Sequence, residues 1–480
     1  MPDLFRQKLQ SQADLLAKLK KTHFETHGPN KHEQFMRIKE EEQRLANAAR
    51  SNISDLTIDY RIQFAEIFCD GGGFDIVIMN PPYVATYSRQ SEKATVVHEQ
   101  QLKGMYGSYG GRLNLFTCFI IRAMGLSDRN GIVVFIVPDS YATSDSYRKI
   151  RREYAEHFSM HSWTLVRPPI FGAAVRNVIV IAGPGNEQLC AIVARTTEDL
   201  YRLTNLHALS HNTIWGTNDR VAFFSSRAEQ DIWMKLSGHE QRFGELFDTK
   251  DGVNPGPRNV RDRIVNPSEA SSHDRPLIEG RNISPSGYIV NPPYHVIRYE
   301  PSGLSPKEKK SGASLRDPRI FESPKIVSRQ TADTLIAGMD WDEDLVTLNS
   351  VHTTRSIRGS TDELWGALAL LNSPLARLYY AIDGGETREL LPQVHISWIR
   401  TFPLPKHADQ VFVNLANLGK VVYSEMKAGK IASCENVAIH KATCEAYDLS
   451  QNETDQVLKM YLERYPRYAE VWSATRLDTK

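Results

Sequence analysis

The sequence has few cysteines and no close pair of them. Cys69, Cys118, Cys190, Cys434 and Cys444 are the full set of five in 480 residues. They lie far apart with no Cys-x-x-Cys, which argues against a disulfide framework or a structural zinc site, so no bound metal is expected. The pattern suits a reducing cytoplasm. Also lacking is any apolar run of membrane-spanning length, and the opening Met-Pro-Asp-Leu-Phe-Arg-Gln does not read as a secretory leader. No charge of one sign prevails: 58 Lys and Arg stand against 57 Asp and Glu, a formal net charge of +1. That gives no global sign of a polyanion-binding protein, although a local basic face would suffice for one. There is no internal repeat and no low-complexity tract.

What is present is an ordinary globular composition, 41% hydrophobic and 24% charged, in a chain long enough for two to four cores. Residues 1–52 read as two charged helices, with Leu9, Leu15, Leu16 and Leu19 striping the first and Phe35, Ile38 and Leu45 the second. From Ile53 to Ala182 strands alternate with helices. Phe74–Met79 suits a buried parallel strand, Asn114–Leu126 an amphipathic helix, Gly131–Pro138 a second buried strand and Asp145–His157 a helix rich in Arg and Lys. His161–Val166 and Asn177–Ala182 read as a closing pair of strands. This is half of an open α/β sheet. After about Arg220 the segments shorten and turn signals multiply, as in Asp251-Gly252-Val253-Asn254-Pro255-Gly256-Pro257. Helices are expected again at Asp362–Tyr380 and Val411–Ala428. The resulting division is 1–52 helical, 53–217 α/β, 218–405 mixed α/β and 406–480 helical.

The run Gly72-Gly73-Phe74-Asp75-Ile76-Val77-Ile78-Met79-Asn80-Pro81-Pro82-Tyr83 carries the chemistry. It places Asn-Pro-Pro-Tyr at the carboxyl end of a strand, where open α/β sheets bind ligands. These residue types suit methylation of a planar exocyclic amine, a poor nucleophile whose lone pair is delocalised into its ring. The Asn80 side-chain oxygen can accept one N–H and the Pro81 carbonyl the other. Two acceptors off the ring plane favour a pyramidal nitrogen. Pro81 and Pro82 restrict the backbone and hold that carbonyl in place, and Tyr83 offers a flat face for stacking. Catalysis of this kind is mostly positioning and electrostatics. A second copy, Asn291-Pro292-Pro293-Tyr294, lacks the Gly-Phe-Asp and the long apolar strand before it and reads as a loop with a chance match.

The first run resembles the catalytic motif of the amino-methyltransferases of restriction–modification systems, especially the type IIG-like adenine-N6 DNA methyltransferases. The similarity continues through Arg112-Leu113-Asn114-Leu115-Phe116, through Gly131–Pro138, and through Ile170-Phe171-Gly172-Ala173-Ala174-Val175-Arg176-Asn177-Val178. In the second half, Phe247–Gly256, Pro276–Ile283, Pro324–Val327, Leu370–Pro374 and Ile399–Pro405 resemble landmarks of the family's target-recognition region. The resemblance implies a partial Rossmann-like methyltransferase sheet, its later strands, followed by a mixed α/β target-recognition domain. It also implies S-adenosyl-L-methionine as cofactor, touched by Asp75, Asn80 and Pro81. The partner would be double-stranded DNA, from which an adenine is flipped to stack between Tyr83 and Phe171.

The family's glycine-rich cofactor turn, and the acidic residue after its second strand, would precede Asn80 and are not recognisable there. Gly71-Gly72-Gly73 comes before the wrong strand. An upstream polypeptide supplying the cofactor-binding half is therefore expected, because Phe74–Met79 would otherwise leave a long apolar edge open. No nuclease motif is evident. Arg148, Arg152, Arg258 and Arg281, with Lys149, Arg151 and Arg261, are the basic residues expected to meet phosphates. Two other readings stay open: a non-catalytic DNA-specificity protein, and an amino-methyltransferase acting on RNA or on protein glutamine. The size of the second half favours DNA, since a short peptide target needs no such reader.

Overall fold

The computed structural model describes residues 14–469 apart from 50–59, 69–71, 84–101, 108–113, 172–175, 199–208, 211–213, 257–262, 385–391 and shorter gaps of one or two residues. The chain forms two compact units. The first comprises 1–138, 149–164 and 177–189; the second comprises 139–148, 165–176 and 190–480.

In the first unit, a helix over residues 14–23 and α1 (Asn30–Ala49) share a small core of Leu16, Ala17, Ile38 and Ala65. Leu15 and Phe35, expected in the apolar stripes, instead face solvent. Strand β1 (Phe74–Met79) is followed by α2 (Leu115–Leu126), β2 (Ser127–Pro138), α3 (Arg148–His157), β3 (Met160–Val166) and β4 (Asn177–Gly183). The sheet order begins β1–β2–β4–β3. β1 runs parallel to β2, with Ile76 opposite Ile132 and Met79 opposite Phe135. β2 pairs antiparallel with β4, setting Pro138 opposite Asn177.

Side chains alternate along β2. Val133, Phe135 and Val137 are buried and form one face of the strand. Under them lies an aromatic stack in which Tyr154 of α3 meets Phe135 edge-on at 5.4 Å, Phe158 at 5.0 Å and Trp163 at 6.4 Å. α2 buries Phe116, Ile120, Ile121 and Ala123. Its first turn is closed by Thr117, whose hydroxyl accepts from the Asn114 N–H (3.2 Å) and donates to the Asn114 carbonyl (2.6 Å). At Gly73 a Cβ would collide with the Ser127–Asp128 backbone, so only glycine lets β1 start this close to β2.

The burial expected of β1 is not found, whereas the open edge expected where no earlier strand pairs with it is. Among the described residues β1 heads the sheet order and pairs with β2 alone. Ile76 is 59% and Ile78 74% exposed. The apolar run that reads as a doubly covered strand is here an open edge. The helix expected over Asp145–His157 divides into a 3-10 turn, Asp145–Tyr147, and α3.

The second unit includes α4 (Arg227–Ser237) and two four-stranded sheets. Their strands are β5 (Phe247–Asp251), β6 (Ile264–Val265), β7 (Arg275–Ile278), β8 (His295–Ile297), β9 (Lys325–Arg329), β10 (Ala337–Asp340), β11 (Val346–Thr347) and β12 (Val351–Ser356). One sheet runs β11–β7–β8–β6 and the other β10–β9–β12–β5. Val253, Leu277, Ile297, Phe321 and Val346 fill one core, and Ile278, Ile283, Val327, Ile336 and Val351 a second. The helices that follow are α5 (Thr361–Asn372), α6 (Pro374–Tyr379), α7 (Ile396–Thr401), α8 (Ala408–Lys427), α9 (Ser433–Ala446) and α10 (Gln451–Arg464). The single helix expected over Asp362–Tyr380 is split because Pro374 has no N–H to continue it; Ser373 instead caps α6, accepting from the Ala376 N–H. α5 and α8 approach closely at Gly366, where a Cβ would overlap the Phe412 backbone. A buried carboxylate, Asp383, accepts from the indole nitrogens of both Trp233 (3.1 Å) and Trp398 (2.9 Å). The fold is thus a mixed α/β one with several sheets. Among the described residues no helix is long and apolar enough to cross a membrane.

Candidate functional site

β1 ends at Met79, and the next four residues are non-helical and differ in burial. Asn80 and Pro82 are exposed, Pro81 is buried and Tyr83 is half-buried. Pro81 anchors the turn while the Asn80 side chain faces outward. No hydrogen bond holds the Asn80 amide among the described residues, so its carbonyl oxygen is available as an acceptor.

Tyr83 is fixed by its hydroxyl. The phenol donates to the Ile136 carbonyl of β2 at 3.1 Å and accepts from the Asn177 side-chain amide of β4 at 3.0 Å. Asn177 is 2% exposed, so its amide loses water and needs a protein partner. Burial also raises the Tyr83 phenol above its ordinary pKa, which keeps it a neutral donor. The ring is thereby pinned across β2 and β4. Sequence reasoning missed Asn177 as a positioning residue. The available signal was a lone amide opening the apolar run Val178-Ile179-Val180-Ile181.

Asp75 is exposed on β1. Phe171, in the second unit, is 39% exposed beside Ile170 at 38%, as a loop aromatic available for contact would be. Residues 172–175 after it, and 84–101 after Tyr83, lie outside the described residues.

The expected phosphate contacts divide. Arg148 is paired with Asp219 (2.6 Å), and Arg281 with Glu279 (3.2 Å) and the His295 ring (2.6 Å). Arg152 and Lys149 are exposed. Arg151 is fully buried at 0% exposure, which corrects its place among phosphate-binding candidates: the α3 face that carries Ile150 and Tyr154 carries it too. Arg258 and Arg261 lie outside the described residues. Among the described residues no group of three or more His, Cys, Asp or Glu is placed to hold a metal ion.

For S-adenosyl-L-methionine the fit is partial. The exposed Asp75 carboxylate can meet an ammonium group, and Asn80 and Pro81 present polar atoms at the strand end. On the open side of β1, however, no described strand continues the sheet to cradle an adenosine.

Residues 3–171 match the Eco57I restriction-modification methylase family, and residues 275–404 match the TaqI-like C-terminal specificity domain. A Type II methyltransferase from Thermus thermophilus is 25% identical over 280 residues, or 57% of this chain and 59% of that protein. The chain therefore spans a little over half the length of that relative. Among solved structures, the type IIG restriction endonuclease BpuSI aligns at 13% identity over 82% of this chain and 54% of its own, with a TM-score of 0.32. A nuclease-deletion mutant of the Type ISP restriction-modification enzyme LlaGI, in complex with a DNA substrate mimic, aligns at 12% identity over 80% of this chain and 39% of its own, with a TM-score of 0.42. Likenesses this distant carry no argument about activity.

Proposed function

From a chain of the restriction–modification methyltransferase type, we propose a site-specific DNA adenine-N6 methyltransferase. The observation that carries this reading is the Asn80–Tyr83 turn at the end of parallel strand β1, with the Tyr83 phenol held between Ile136 and Asn177. An adenine flipped from the duplex would stack on Tyr83, with Phe171 as the second aromatic face. Its amino hydrogens would be accepted by the Asn80 Oδ1 and the Pro81 carbonyl, which localises the nitrogen lone pair without a general base. S-adenosyl-L-methionine supplies an electrophilic methyl group when bound. Asp75 would pair with its ammonium, and Asn80 and Pro81 would flank its methionine end.

Double-stranded DNA is the substrate on this reading, with the 275–404 region as the reader. Arg148, Arg152 and Arg281 would contact phosphates; Arg148 and Arg281 would exchange their carboxylate partners to do so. The cofactor-binding half would come from an upstream polypeptide paired along β1, a proposal supported by β1 having β2 as its one neighbour among the described residues and by exposed Ile76 and Ile78.

The test is transfer of a labelled methyl group to duplex DNA, with and without the upstream polypeptide, followed by mass spectrometry of the nucleosides. N6-methyladenine that vanishes with Asn80→Ala supports the assignment. Label on cytosine, or on RNA or protein in preference to DNA, overturns it. The open edge of β1 also favours a second reading, a DNA-specificity protein without transferase activity. Sequence-selective DNA binding with no transfer in any combination would select that alternative.

A further inference from the structure

The second Asn-Pro-Pro-Tyr, which the proposed chemistry does not use, borders a cavity in the second unit. Its volume is about 370 Å³, within the range of small-molecule sites. Asn291 and Pro292 lie at its rim, and Tyr294, Trp341 and Tyr423 supply aromatic wall, with Met339 and Met426 beside them. Four charged residues also line it: Asp340, Asp342, Glu343 and Lys427.

The walls are held by structure rather than by each other alone. Asp340 is fully buried and ion-paired with Lys325. Its remaining valences accept the backbone N–H groups of Glu343 (3.1 Å) and Leu345 (2.8 Å). That clamp fixes the 340–345 turn and so presents Trp341, Asp342 and Glu343 to the cavity. Behind Trp341 stands buried Trp365 of α5, at 5.4 Å from Trp341 and 5.2 Å from Tyr423.

The charge count decides the ligand sign. Asp340 is neutralised by Lys325. Lys427 offsets one of the two exposed carboxylates, and its ammonium lies 5.6 Å from the Tyr423 ring centroid. One negative charge is left uncompensated beside aromatic faces, and Glu343 also accepts weakly from the Tyr294 hydroxyl at 3.5 Å. Aromatic faces beside an excess of carboxylate over ammonium, with Lys427 the one cationic side chain among the lining residues, suit a cation with an apolar body. We infer that this cavity binds a small organic cation carrying a methylated ammonium head. The thioethers of Met339 and Met426 can adapt to the methyl groups.

Choline and its neutral isostere 3,3-dimethylbutan-1-ol test the charge directly by titration calorimetry on the full chain. The expected result is saturable choline binding at least roughly tenfold tighter than the isostere, as a cation–π site requires. Glu343→Gln should weaken choline several-fold and leave the isostere unchanged; Trp341→Ala should weaken both. Glu343 is exposed, so the glutamine variant should keep its fold, which near-ultraviolet circular dichroism will confirm. Equal affinity for choline and the isostere, no saturable choline binding, or choline binding indifferent to Glu343→Gln would each overturn the inference. So would preferential binding of free adenosine, which would mark the cavity as a base pocket.

Discussion

The side-chain amide of Asn177 donates to the hydroxyl of Tyr83 across 3.0 Å, joining the start of β4 to the turn after β1. The Tyr83 hydroxyl in turn donates a hydrogen bond to the Ile136 carbonyl, so one phenol ties three consecutive pieces of the sheet together. The two residues are 94 positions apart in sequence, yet the register that sets Pro138 opposite Asn177 brings them together.

Asn177→Ala and Tyr83→Phe should each lower methyl transfer by roughly three- to tenfold, since a net hydrogen bond is worth about 0.5–1.5 kcal/mol. Their effects should not add, because both remove the same bond. Single-turnover rates of the four proteins in the cycle, measured with the complete assembly, check this; strict additivity would mean the two side chains act separately.

Asn80→Ala should reduce the transfer rate by about 10²-fold or more, the scale seen when a positioned polar group at a reacting centre is deleted. DNA affinity should stay nearly constant, because Asn80 is exposed at the end of β1 and holds no structural hydrogen bond among the described residues. Rate and gel-shift measurements on one preparation separate the two effects.

Ile76→Lys and Ile78→Lys should leave the melting temperature of the chain almost unchanged, since surface substitutions usually fall within about 0.5 kcal/mol. If the proposed upstream polypeptide pairs along β1, they should abolish its capture, because lysine on a strand edge discourages pairing. Co-purification with tagged upstream polypeptide is the readout. Undiminished capture by both variants would place the contact elsewhere.

Asp340→Asn should cost about 3–5 kcal/mol, because it leaves a buried ammonium without its counter-ion. Both side chains are 0% exposed, and burial already lowers the Lys325 pKa from its ordinary value. The urea midpoint reports the loss. A shift equivalent to less than about 1 kcal/mol would show that the pair is replaceable by neutral groups.

His440 should make stability fall in mild acid. Burial depresses its pKa to about 4, below the ordinary value near 6.5, so between these limits the unfolded chain takes up a proton that the folded one refuses. Lowering the pH through that window therefore favours unfolding, by up to about 3 kcal/mol at 1.36 kcal/mol per unit. Denaturation series from about pH 7 to about pH 4 on wild type and His440→Gln test it. A pH slope that is the same in both would assign the acid sensitivity to other groups.

Much of the first unit was legible in the sequence because its elements are strongly patterned. β-branched runs at Ile76–Ile78 and Ile132–Val134 mark β1 and β2, and Asn177–Ala182 marks β4 almost to the residue. What the pattern could not supply is which side of a strand is covered. A continuous apolar run reads the same for a buried strand and for one whose neighbour is missing; the open edge that β1 forms among the described residues was signalled only by the unrecognised cofactor turn before Asn80. Burial of single charges was equally hidden. Arg151 and Arg152 are adjacent, yet helical rotation puts the first in the core and the second outside. The Asn80–Tyr83 turn could be read locally, whereas Asn177 emerged only once pairing of β2 with β4 set the register.

The tight crossing at Gly366 reaches further than helix packing. Its neighbour Trp365 backs both Trp341 and Tyr423, and α8 carries Tyr423, Met426 and Lys427. A methyl group at Gly366 would push against the Phe412 backbone and pry α8 outward, dragging that wall along. A single missing side chain thus acts as a spacer gauge: the calibre of the cation cage is set at a position that no ligand touches.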